Sequence, residues 1–310
     1  MRLTVFAFTV AVLGFASVSS AGQGPSGRYY VTDESGFNKI WQFQGNTLSS
    51  FGTVTAGADG PIVVDGNAGL VRSVSGGFSG GGGGSGAAYN LAGVPLNPVS
   101  LDFSLYGGHG RVIDAGFDGK NSYIVSGLFG AAGVFMYNGD FSGPGSLMFN
   151  LAGTAATAQG ITYDTTTDTI WVSDYDFNAG ATGGRIRQFS LTGVELSSFA
   201  VVDDQGNASE RNTALAYDFS DDTFWMNAHV ENTLGFGFGE LWQFSRNGTF
   251  LQKIHGKQFD STAPGNILYW GGEIFATGAS AVPEPATICA LAVGILVPLA
   301  RKLGTRARRA

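Results

Sequence analysis

The sequence predicts an all-β protein assembled from repeated units of four short strands. Three observations predict it: one block of sequence recurs at a fixed offset, glycine is abundant while charge is scarce, and the two chain ends carry partial copies of the same unit. Charged residues make up 13% of the chain and glycines number 49, roughly half and double their usual shares. Such a composition suits short strands joined by tight turns and suits helices badly. No three-residue period runs through the glycines, so a collagen-like fibre is excluded.

The repeat is clearest between Ile161-Thr-Tyr163-Asp164-Thr-Thr-Thr-Asp168-Thr169-Ile170-Trp171 and Leu215-Ala-Tyr217-Asp218-Phe-Ser-Asp-Asp222-Thr223-Phe224-Trp225. Each block supplies two runs. A third follows as Arg185 to Phe189 or Glu240 to Phe244, and a fourth as Val194 to Phe199 or Thr249 to Ile254. Near the N-terminus, Tyr30-Val31-Thr32-Asp33 parallels Trp171 to Asp174, and Lys39-Ile40-Trp41-Gln42-Phe43 repeats the third run. Leu48-Ser49-Ser50-Phe51 then carries the same residues as Leu196-Ser197-Ser198-Phe199. Phe117-Asp118 followed by Tyr123-Ile124-Val125 starts another copy, and a degenerate one spans Pro61 to Leu101 around the glycine run Gly76 to Gly86.

Runs of this length, separated by Gly, Asn, Asp and Thr turns, read as strands. Four strands repeated at this spacing resemble the blades of a β-propeller. Asn266 to Trp270 and Glu273 to Thr277 read as first and second strands, whereas the N-terminal copy begins at a second-type strand. One blade built from both termini would close the ring. The expectation is five blades, six being the next count, and a twisted β-sandwich is the alternative. Trp171 and Trp225 are expected in the core between blades, and the Asp of each Tyr-Asp pair as a turn cap.

Both ends of the chain carry tags. Residues 1–21 follow the secretory pattern: Arg2, an apolar stretch from Leu3 to Ala16, and small residues Ser19-Ser20-Ala21 for cleavage. The apolar stretch is too short for a span of roughly 20 residues. Residues 22–280 form the exported domain. Its sequence contains no cysteine, because Cys289 lies in the tail; stability must come from burial and sheet hydrogen bonding. In residues 281–310 an apolar run, Ala286 to Ala300, precedes Arg301, Lys302, Arg306, Arg308 and Arg309. A short hydrophobic helix with a basic end stops in the membrane with that end in the cytoplasm.

The order Val282-Pro283-Glu284-Pro285, apolar helix, arginine cluster resembles the PEP-CTERM sorting signal. This resemblance covers about 30 residues and implies an exosortase as sorting partner, transient membrane anchorage, and a final place at the cell surface or in an exopolysaccharide matrix. Without Arg2 and the five basic tail residues, 11 of the 17 Lys and Arg remain against 24 Asp and Glu, a net of about −13. So acidic a domain is a poor partner for nucleic acid or anionic lipid, and meets anionic polysaccharide only through bridging cations.

A search for chemistry yields no catalytic set and no cofactor motif. His109, His229 and His255 stand in no ligand-spaced pattern. Asp203-Asp204 lacks the alternating oxygen ligands of a calcium loop and reads as a solvated acidic turn. Gly80 to Gly86 lacks the Lys-Ser/Thr ending of a phosphate loop, and no serine sits in a strand-to-helix nucleophile elbow. A wider class of propellers includes metal-dependent lactonases and sugar lyases, and the chain is vaguely similar to them without matching their catalytic residues. The expected function is non-enzymatic binding of extracellular polysaccharide or other envelope components. The alternatives are a propeller hydrolase or lyase with a dispersed metal site, and a structural coat protein. The expected ligand surface is a set of phenylalanines in the loops joining second to third strands: Phe37, Phe78, Phe129, Phe177, Phe236 and Phe238. Replacing Glu284 with Ala in the host should block processing at the tail, seen as a heavier protein retained in the membrane. Unchanged size and release would count against exosortase handling.

Overall fold

The computed structural model describes residues 23–33, 39–53, 60–74, 86–96, 103–104, 111–128, 132–151, 158–174, 184–209, 211–228, 240–259 and 269–275. In chain order, β1 (Arg28–Asp33), β2 (Lys39–Gln44) and β3 (Thr47–Thr53) belong to blade 1. Strands β4 (Ile62–Asp65), β5 (Leu70–Val74) and β6 (Gly86–Asn90) form blade 2. After β7 (Phe103–Ser104) come β8 (Arg111–Phe117), β9 (Asn121–Leu128) and β10 (Gly133–Asn138), then β11 (Gly143–Pro144) and β12 (Ser146–Asn150). Blade 3 is β8-β9-β10-β12, and the short β7 and β11 pair in parallel beside it. Blade 4 is β13 (Ala158–Asp164), β14 (Thr169–Asp174), β15 (Arg185–Ser190) and β16 (Glu195–Ala200). Blade 5 is β17 (Thr213–Asp218), β18 (Thr223–Asn227), β19 (Glu240–Ser245) and β20 (Phe250–His255). The last strand, β21 (Tyr269–Phe275), pairs antiparallel with β1 and completes blade 1 in the order β21-β1-β2-β3.

This is a five-bladed β-propeller closed by a composite blade. In blade 2 the chain returns along β6 through a Tyr89–Pro95 bridge and a bond from Leu96 N–H to Ala88 C=O. Among the described residues no helix is long and apolar enough to cross a membrane. One expectation needs correction. The C-terminal segment is not two strands split at Gly271-Gly272 but one continuous strand. Glycines stand there because neighbouring inner strands come too close for a side chain. A Cβ on Gly271 would lie 2.5 Å from Gly60 O, and one on Gly272 2.7 Å from Ala214 O.

The core lies between blades. Trp171 of blade 4 meets Phe224 of blade 5 at 4.7 Å between centroids, and Trp225 packs with Tyr29, Val31 and Trp41 of blade 1. Tyr123 and Tyr163 stack across blades 3 and 4 at 5.5 Å and 8°. Both tryptophans are buried, as expected of inter-blade residues. On the outermost strands of blades 1, 3, 4 and 5 the pairing slips once, leaving Phe51, Met148, Leu196 and Leu251 as the extra residues of β-bulges. Bulged edges twist away from flat pairing and discourage strand addition by another chain.

The innermost strands β21, β4, β8, β13 and β17 ring the axis, and four of them are irregular at the same level. Register shifts fall between Val112 and Asp114, between Ala158 and Gly160, between Thr213 and Ala216, and where β21 faces Val31 to Asp33. Ala214 there adopts φ 52°, a conformation that costs a non-glycine residue about 1 kcal/mol or more. These bulges turn backbone amides toward Asp114. Its Oδ2 accepts N–H groups from Ile161 and Leu215 at 3.0 Å each, and its Oδ1 accepts those of Gly272 at 2.8 Å and Ala115 at 2.9 Å. One carboxylate thus ties blade 3 to blades 4, 5 and 1. Burial pushes the Asp114 carboxyl well up, and the four amides act against that shift.

Glu273 follows Gly272 and is also buried. Burial, then the neighbouring Asp114 charge, holds its carboxyl well above the ordinary 4.5, and its Oε2 has no hydrogen-bond partner.

Asp114→Ala would leave amides of three strands unmet in the core, at about 1–3 kcal/mol each. That total is comparable with a whole domain's stability, so the variant should fail to fold or melt far below the parent; an unchanged melting temperature would overturn the hub. For Glu273, the folded protein binds its proton more tightly than the unfolded chain does. The stability this supplies is fully present below pH 4.5 and drains as pH rises through the folded value. The melting temperature of the parent should therefore fall from about pH 5 upward. In Glu273→Gln the decline should be shallower, with Asp114 alone contributing at the axis.

Candidate functional site

A recess lies where blades 4 and 5 meet, on the face carrying the tight turns between first and second and between third and fourth strands. It is a groove of about 630 Å³. Its floor follows from strand register. Trp171, Gln188 and Ser197 stand directly across β14, β15 and β16 on one blade face. Gln188 Nε2 donates to Thr169 Oγ1 at 2.9 Å, and its Oε1 accepts the Ser197 hydroxyl at 2.9 Å. Blade 5 repeats this ladder: Gln243 Nε2 donates to Thr223 Oγ1 at 2.9 Å, and Gln252 Nε2 donates to Gln243 Oε1 at 2.7 Å. The Gln of the recurring Gln-Phe dipeptide is therefore a cross-strand amide that satisfies a turn threonine on one side and an outer-strand polar group on the other.

The wall is made by turns. Asp168 and Asp222 take left-handed backbone conformations, φ 55° and 60°, and accept the hydroxyls of Tyr163 and Tyr217. Asp164 and Asp218 cap the same turns, accepting Thr166 N–H at 2.8 Å and Ser220 N–H at 2.9 Å. Each also reaches the next blade. Asp164 accepts from Arg246 of the β19–β20 turn, and Asp218 accepts Gly27 N–H at 3.0 Å from the N-terminal segment. Arg246 further donates to Thr167 Oγ1 at 3.1 Å, to Tyr217 OH at 3.1 Å and to Asp222 at 3.3 Å. With two carboxylates around it, Arg246 fastens blade 4 to blade 5, so that among the described residues lining the groove no cation is free. Asp221 lines the same recess. Burial pushes its carboxyl up, and the Asp218 charge acts in the same sense.

The groove offers amide, hydroxyl and carboxylate groups beside Leu251, which is 47% exposed. Neutral polar groups that both donate and accept, set beside an apolar contact, suit a polyhydroxylated ligand better than an ion. Among the described residues no three His, Cys, Asp or Glu side chains come together as metal ligands. His255 lies on β20; His109 and His229 fall outside the described residues. Asp203 departs from a merely solvated turn. It is buried, accepts the N–H groups of Gln205 at 3.0 Å and Asn207 at 2.8 Å, and pairs with Lys253 at 3.5 Å.

The phenylalanines expected to form a ligand surface, Phe37, Phe78, Phe129, Phe177, Phe236 and Phe238, lie outside the described residues, as does the sorting motif Val282 to Pro285. What sequence reasoning missed is the groove itself, Arg246 and the axial carboxylates. The groove's signal was present in pieces, as the repeated Gln-Phe and Asp-Thr pairs. Its convergence depends on two blades meeting.

No protein-family model matches this sequence, and no curated protein matches it. Solved structures similar to the chain include a nidogen/laminin complex, with a TM-score of 0.46 and 11% identity over 80% of this chain and 97% of that one. A proposed 6-phosphogluconolactonase from Bacteroides uniformis gives 0.41 and 15% over 74% and 67%. The glutaminyl cyclase of Myxococcus xanthus gives 0.39 and 12% over 80% and 74%. Likeness of this degree carries no functional argument, and the architecture rests on the strand pairing described above.

Proposed function

We propose that this chain is an exported, non-enzymatic β-propeller that binds neutral polysaccharide at the cell surface or in the surrounding matrix. The observation that carries the reading is the groove between blades 4 and 5, with its donors and acceptors ordered by the Thr169–Gln188–Ser197 ladder and its one arginine already engaged. Export and sorting through an exosortase, with transient membrane anchorage, follow from the resemblance of the two tags. The acidic balance favours a neutral glycan over an anionic one.

Retention of the purified protein on the host's extracellular polysaccharide tests this. Ser197 is exposed at the groove, so Ser197→Trp should fill the recess without disturbing the core, weakening retention about tenfold, or 1.4 kcal/mol, at an unchanged melting temperature. Leu251→Ala should weaken it by a smaller factor. A parent that passes through every neutral polysaccharide unretained, or a Ser197→Trp variant that binds like the parent, would overturn the proposal.

A further inference from the structure

The junction between blades 5 and 1 is built like the groove between blades 4 and 5, with one difference. Trp225, Gln243 and Gln252 stand directly across β18, β19 and β20, as Trp171, Gln188 and Ser197 do in blade 4. Trp225 packs with Tyr29 and Trp41 of blade 1, so this row of side chains faces that junction. The difference is that the chain itself fills the space. Gln23 C=O accepts Gln252 Nε2 at 2.8 Å, Gly24 N–H donates to Gly45 C=O at 2.9 Å, and Gly45 N–H donates to Pro25 C=O at 3.0 Å. Gly24 and Pro25 are buried. Just beyond, Ser26 Oγ donates to Asp221 Oδ2 at 3.3 Å and Gly27 N–H to Asp218 Oδ2 at 3.0 Å.

The repeat explains why one junction is open and the other filled. Arg246 follows Gln243 by the same interval as Gly45 follows Gln42, each in the turn between third and fourth strands of its blade. Across the groove, Arg246 serves Asp164; at blade 1 the same position is Gly45, which has no side chain to extend, and Gly27 N–H serves Asp218. The segment fits closely, since a Cβ on Gly24 would run into Gly45 O. It meets two donors, Gln252 Nε2 and Gly45 N–H, and one acceptor, Gly45 C=O, using neutral groups throughout. Hydroxyl groups donate and accept without charge in the same way. Residues 23–25 take up at most about 10 Å of chain, and that is the length of cleft their departure opens beside Gln252.

We propose that the junction of blades 5 and 1 is a second site for neutral glycan, held shut by residues 23–25 of its own chain. The proposal rests on the reading of the first groove, whose ligand the segment imitates. Strand β1 starts at Arg28, so the segment can leave without breaking a blade, and the cleavage expected after Ala21 makes it a free end. While attached, it competes at the high effective concentration of a tether, so the site opens only when the segment is removed or held away.

Equilibrium dialysis against a panel of short neutral oligosaccharides counts the sites. The chain from Gly22 onward should bind one equivalent, and a chain lacking residues 22–25 should bind two. Gly24→Val, whose side chain meets Gly45 O, should give the same gain if the shortened chain does not fold. In the shortened chain, Gln252→Trp should remove the gained equivalent and Ser197→Trp the other. The peptide Gly-Gln-Gly-Pro, added in trans, should compete for the gained equivalent alone. A parent that binds none, beside a shortened chain that binds one equivalent lost in Gln252→Trp, would sink the reading of the first groove and uphold the second site. Unchanged stoichiometry on opening the junction, or a gained equivalent that survives both Gln252→Trp and the peptide, overturns the proposal.

Discussion

Closing five blades into a ring leaves each innermost strand with an unpaired edge on the axis, and the Asp114 carboxylate is where three of those edges end. Its partners, Ile161, Leu215 and Gly272, come from blades 4, 5 and 1. The bulges on β13, β17 and β21 lie beside it, and each of these strands sends one amide to the same two oxygens. The strained Ala214 and the close-packed Gly271 and Gly272 belong to the same arrangement. A buried carboxylate with four N–H donors is a dependable tie because leaving any of those amides unmet is costly. Glu273 adds a second acid nearby whose charge the interior resists, which places a proton-dependent element next to the tie.

Away from the axis, cohesion is repeated rather than unique. The Tyr-Asp turn recurs in blades 4 and 5 with the same geometry: a left-handed Asp takes the tyrosine hydroxyl, and the capping Asp reaches the neighbouring blade. In these two blades contact with the neighbour is therefore built into the turn, whereas among the described residues Asp118 of blade 3 bonds only to residues 120–123 of its own blade. Arg246 shows the difference between repeat and site. It occupies an ordinary third-to-fourth strand turn, yet its reach to Asp164 shapes the groove and removes a free positive charge from it.

Much of the architecture was legible because each blade must satisfy the same turn and ladder requirements, so the residues that meet them recur. Where a position is unique, that logic fails. Asp114 has no counterpart in the other blades and sits in Val112-Ile113-Asp114-Ala115-Gly116, where comparison of repeats passes over it. Gly271-Gly272 resembles a turn because glycine serves both turns and close strand approach, and only the neighbouring strands distinguish the two. The quartets Leu48 to Phe51 and Leu196 to Phe199 carry identical residues but not identical structure. Leu48 faces Phe43 and is 8% exposed, whereas Leu196 falls in a bulge and is 53% exposed. Bulge position is set by packing against the partner strand, which the quartet does not encode. The groove was legible residue by residue and not as a place, because Trp171 and Leu251 line one recess only when two repeats are packed.

Phe275, the last residue of β21, lies opposite Arg28, the first of β1. That adjacency decides how the fold bears load. A pull at Phe275 directed away from β1 would open the hydrogen bonds between β21 and β1 one rung at a time, the weakest geometry a sheet offers, whereas a pull along the strand would load them together in shear. The opening meets Gly272, held by Asp114 in the centre of the ring. Force is then shared with blades 3, 4 and 5 through one carboxylate, and the yield point under such a load is set at the axis rather than along the outer edge.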